Sequence, residues 1–98
     1  MTAAEELIAH IRDTVVPDKK RILRTRYLAG ELARGVRDRA AAKTLVQKLN
    51  NAYLVLQLAT LSDDPAMAKN CRGECMALVL SLDRARGAEQ DSKLPSPA

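Results

Sequence analysis

A chain of 98 residues is long enough for one domain with a modest core, and its 47% apolar content comes almost wholly from Ala, Leu, Val and Ile, with only Tyr27 and Tyr53 as aromatics. The net charge of +4 is local, because eight of the sixteen Lys and Arg residues fall between Lys19 and Arg39, against Glu31 and Asp38 alone. The two cysteines make no disulfide framework, and the longest apolar run, Ala52 to Leu61, is interrupted by Gln57 and is about half of the roughly 20 residues a membrane span needs.

The beginning of the chain lacks the basic and apolar regions of a secretory signal, so the expected setting is intracellular and cytoplasmic, with the nucleus left open. Thr2, followed three residues later by Glu5, reads as a capping box. Leu7, Ile8, Ile11 and Val15 then form one helical stripe that Pro17 ends, which predicts a first helix over about 3–16. His10 falls at the edge of that helix with Glu6 and Asp13 in reach, and is expected to be exposed in an acidic setting.

Asp18 can cap a second helix over about 18–36, in which Ile22, Ala29, Leu32, Ala33 and Val36 share a face. Its cations mostly point the other way, with Leu23 and Tyr27 among them. The next stripe, Leu45, Val46, Leu49, Ala52, Tyr53 and Leu56, would be turned by roughly 140° if the helix ran on unbroken, so a turn belongs at Gly35 to Asp38. The third helix then covers 39–61. Leu54, Leu58 and Leu61 make a second stripe on it, which needs cover from neighbouring helices or from a second copy of the chain.

Ser62-Asp63-Asp64-Pro65 is a stop and restart, with Asp64 as N-cap and Pro65 as the first helical residue. The fourth helix, over about 65–86, carries Met67, Cys71, Cys75, Leu78, Val79, Leu82 and Ala85 on one face, and Gly87 suits its C-terminal cap. Ala88 to Ala98 has no apolar periodicity and is expected to be a disordered tail. The fold expected is therefore all-α, a four-helix antiparallel bundle running up-down-up-down; two helical hairpins that complete their core only in a dimer are the alternative.

No motif names a reaction. The glycines are isolated, so no phosphate-cradling loop is present, and neither a Ser nor a Cys is placed by sequence for activation by the single histidine, His10. Met67, Cys71 and Cys75, one turn apart, are the soft donors that suit Cu(I). Their position on the apolar seam favours packing instead, and no metal or cofactor is expected. The basic helix carries the functional reading. Lys20, Arg24, Arg34 and Arg37 with the apolar anchors Leu23 and Tyr27 suit an acidic protein partner, and Leu54, Leu58 and Leu61 suit an oligomer seam, a homodimer being the simplest form. The expected role is a non-enzymatic interaction module, a small helical adaptor or chaperone-like subunit. Phosphate binding by residues 19–39 of a nucleic-acid-binding protein is the second choice. A helix-turn-helix centred on Gly35 fits poorly, since Glu31 and Arg34 stand where small and apolar residues are required.

Overall fold

The computed structural model describes residues 2–93, with side chains through Gly87. Four helices follow one another, α1 (Ala3–Asp13), α2 (Lys19–Ala33), α3 (Arg39–Leu61) and α4 (Pro65–Lys93), and there is no strand among the described residues. The all-α class follows from the sequence as expected. Each helix start is capped from the chain. Thr2, Asp18, Asp38 and Asp64 accept from the backbone N–H of Glu5, Arg21, Ala41 and Met67 at 3.2, 2.9, 3.1 and 3.1 Å.

One core joins all four helices. Leu7 and Ile11 of α1, Leu28 and Leu32 of α2, Leu49, Tyr53 and Leu56 of α3, and Cys75, Val79 and Leu82 of α4 are all buried within it. α3 and α4 form the most extensive pair, while α1 packs on α2 and α4. Glu6 faces Arg24 while His10 faces Arg21, so α1 and α2 run in opposite directions.

α1 stops at Asp13, three residues before the expected end, and the cause is Thr14. Its hydroxyl donates to the His10 carbonyl at 2.6 Å and takes the acceptor that a further helical N–H would use. Val15 is consequently turned outward, 78% exposed, rather than continuing the Leu7–Ile11 stripe. Arg72 of α4 closes the end, donating from Nη1 to the carbonyls of Ile11 and Thr14, each at 2.7 Å, and of Arg12 at 3.3 Å. A guanidinium at a helix C-terminus satisfies orphan carbonyls and opposes the negative end of the dipole.

α2 ends at Ala33, also three residues early. Val36 N–H then bonds the Ala33 carbonyl at 3.0 Å, and Arg39 donates to the carbonyls of Ala33 and Val36 at 3.0 and 3.1 Å. Gly35 is required here by contact, since a Cβ would lie 2.5 Å from Cγ of Arg86.

The α3–α4 junction lies where the sequence placed it. Asp64 N–H bonds the Ala59 carbonyl at 2.9 Å and Asp63 N–H the Thr60 carbonyl at 3.2 Å, with Asp63 at φ 53°; together they form a Schellman cap with aspartate in the usual glycine position. At the far end, α4 passes through Gly87, where a cap was expected, and continues to Lys93. No described glycine has positive φ, so Gly87 does not adopt the left-handed geometry of a cap. The expected tail, 88–98, lies from residue 94 on outside the described residues.

Candidate interaction surface

Helix α2 buries Thr25, Leu28, Ala29 and Leu32, which sets its opposite side toward solvent. There Leu23 and Tyr27, one turn apart, are 53% and 58% exposed, and Lys20, Arg24, Arg26, Arg34 and Arg37 are exposed around them. The structure thus brings the six residues proposed from sequence, Lys20, Leu23, Arg24, Tyr27, Arg34 and Arg37, onto the outside of one helix and its C-terminal turn. Some of their charge is internally partnered. Arg24 pairs with Glu6 of α1 and its guanidinium lies 5.5 Å from the Tyr27 ring centroid, and Arg34 pairs with Glu31 at 3.1 Å. Both pairs remain exposed on the arginine side, where such pairs stabilise weakly and exchange readily with a competing carboxylate.

Two cations counted in the cluster by sequence belong to the fold. Arg39 caps α2, and half-buried Arg21 donates from Nη1 to Thr14 Oγ1 at 3.4 Å. No sequence signal separates these from their exposed neighbours.

On α3, Leu58 and Leu61 are 62% and 69% exposed, whereas Leu54 is half-buried. The stripe proposed as an oligomer seam is therefore graded, open toward the C-terminal end of α3. It belongs to a longer ridge. Lys43, Gln47, Asn50, Leu54, Leu58 and Leu61 follow at helical spacings of three and four. At one end of the ridge, Lys43 and Gln47 border α2 across a hollow lined also by Gly30, Ala33, Arg39, Ala42 and Val46, of about 440 Å³. Near the other end, Gln57 donates to the Pro17 carbonyl, just ahead of α2, at 3.0 Å. The ridge thus borders α2 at Lys43 and Gln47, and α3 meets the chain just ahead of α2 at Gln57.

The hollow exists because Gly30, Ala33 and Ala42 are small. A Cβ added at Gly30 would meet no atom within 4 Å. Its floor is apolar and its rim carries Arg39, Lys43 and Gln47. Sequence reasoning missed it; the signal present was the pair of small residues, Gly30 and Ala33, one turn apart and facing the small start of α3.

Away from that surface, His10, Cys71 and Cys75 are packed within the bundle. His10 is half-buried and not exposed as expected from sequence. Its ring stacks on Tyr53 with centroids 6.0 Å apart, and Nε2–H donates to the Arg21 carbonyl at 3.1 Å. Tyr53 O–H donates to Thr14 Oγ1 at 3.0 Å, which itself donates to the His10 carbonyl, so the polar groups between α1, α2 and α3 form a directed chain. Burial lowers the His10 pKa from its ordinary 6.5, with Arg21 and Arg24 adding to the effect. Cys71 and Cys75 are free and buried. Burial, with Cys71 and Glu74 beside it, pushes the Cys75 thiol up to about 12, which keeps it protonated and unreactive. Met67 is 43% exposed and turned partly away from the seam assigned to it.

Among the described residues no three His, Cys, Asp or Glu gather as a metal site, and no helix is long and apolar enough to cross a membrane. No family model, curated protein or solved structure matches this chain.

Proposed function

We propose that this protein is a non-enzymatic interaction module of the cell interior that binds an acidic protein partner through the outer side of α2 and the adjoining ridge of α3. The observation that carries the proposal is the exposure of Leu23 and Tyr27, more than half open to solvent, within a field of cations. A phosphate backbone is held by the cations alone and has no use for an exposed leucine. A protein surface uses both, the apolar anchors for affinity and the charges for selection and rate of encounter. In this reading the helices alternate in direction as an antiparallel bundle, and Leu58 and Leu61 serve a second copy of the chain where one associates.

The test is selection from a display library of helical 16-residue peptides spanning acidic, neutral and basic compositions, with duplex DNA as a separate ligand. The expected result is enrichment of acidic peptides whose binding is lost in the double variant Lys20→Glu, Arg26→Glu, at unchanged circular dichroism. Enrichment of neutral or basic peptides, or DNA binding that falls steeply with salt and exceeds peptide binding, overturns the proposal.

A further inference from the structure

We infer that the hollow between α2 and α3 is the seat for an apolar side chain of the partner, and that the partner segment is an acidic amphipathic helix lying along the α2–α3 furrow. This rests on the interaction reading above and specifies how the partner is held. Gly30, Ala33, Ala42 and Val46 give the hollow an apolar floor of about 440 Å³, enough for a leucine-sized group, and Lys43 and Arg39 stand at its rim. The bordering flanks carry no carboxylate: on α2 the successive positions are Leu23, Arg26, Gly30 and Ala33, and on α3 the ridge from Lys43 to Leu61 contains none. A basic partner finds no carboxylate at these positions, whereas an acidic one meets Arg26 on α2 and Lys43 and Arg39 at the hollow.

The geometry also sets the spacing of the occupant. Val46, which lines the hollow, and the half-buried Leu54 are eight residues apart on α3, about 12 Å along the axis, which is the rise of seven to eight residues of a second helix. Apolar anchors at i and i+7 of the partner, with Glu or Asp on its flanks, therefore reach both points at once. A helix fits a furrow between two helices by the same ridge packing that holds the bundle.

Gly30→Leu is the direct test, because the space beyond its Cβ is empty and leucine favours the helix more than glycine does. Acidic peptides selected on the wild-type chain are measured by fluorescence anisotropy against Gly30→Leu and Gly30→Ala. The expected result is a loss of about tenfold or more for Gly30→Leu, the order expected for one displaced apolar side chain, and unchanged binding for Gly30→Ala. Should Gly30→Leu fail to fold by circular dichroism, Gln47→Trp, which covers the hollow from its rim, takes its place with the same expectation. Equal binding to the filled and open hollow, with loss in Lys20→Glu, Arg26→Glu, overturns this inference and leaves the interaction reading standing. Selected peptides insensitive to both sets of variants overturn the two together. Dodecanoate competing for the hollow more tightly than any selected peptide overturns the choice of a protein occupant.

Discussion

Replacing Arg72 by methionine removes a guanidinium that bridges α4 to the end of α1 while keeping the apolar stem. Two of its contacts, to the Ile11 and Thr14 carbonyls at 2.7 Å, are short charge-assisted hydrogen bonds, and the third, to Arg12 at 3.3 Å, is long and exposed. Hydrogen bonds to charged groups stabilise by roughly 1.5–3 kcal/mol each. Taking the low end for the two short ones, because water reaches the half-exposed site, gives a loss of about 3 kcal/mol. For a domain of this size that corresponds to a fall of roughly 12–24 °C in the melting temperature. Urea unfolding followed by circular dichroism measures it. Arg72→Lys should recover part of the loss, since all three carbonyls bond the single nitrogen Nη1 and an ammonium also offers several N–H donors from one atom, though on a shorter side chain. A loss under about 1 kcal/mol for Arg72→Met would refute the assignment of Arg72 as the clamp on α1, because even one charged hydrogen bond is expected to exceed it.

Asp63 holds a left-handed conformation at φ 53°, so Asp63→Gly should raise stability by about 0.5–1 kcal/mol in thermal unfolding. Gly35→Ala should lower it by about 1–3 kcal/mol, since the new methyl meets Arg86 at 2.5 Å and shifts a side chain bonded to Asp83; no change in the urea midpoint would contradict the close approach. His10 has a pKa below 6.5 in the folded state, so the unfolded chain takes the proton first as pH falls. The stability contributed by neutral His10 is full above pH 6.5 and is lost as pH drops toward the folded pKa. His10→Gln should remove the decline in urea midpoint between pH 7 and the onset of carboxylate titration; an identical decline in the variant would place its origin elsewhere.

The limits of inference from sequence lie at particular residues. The bounds of α3 and the start of α4 were legible because Asp38, Asp64 and Pro65 act locally, through one side chain on the next turn. The end of α1 was not, because Thr14 and Arg72 decide it, and the second is 58 residues away from the first. The burial of His10 was hidden for the same reason: its ring meets the Arg21 carbonyl, Thr25 Oγ1 and the Tyr53 ring, which only the packed bundle brings together. Gly87 read as a stop from residue type alone, yet the helix continues through it. On the surface, the outward cations of α2 followed from helical phase, while the structural roles of Arg21 and Arg39 and the hollow beside Gly30 depend on how α2 meets its neighbours.

The claim that α2 and α3 together form the partner surface is tested most directly by mapping amide chemical shifts of the isotopically labelled protein during titration with a selected acidic peptide. The account predicts that the largest changes fall on Leu23, Tyr27, Gly30, Lys43, Val46 and Leu54, and diminish in parallel as salt is raised. Changes concentrated on α1 and α4, or confined to the cations of α2 with Val46 and Leu54 unmoved, would contradict it.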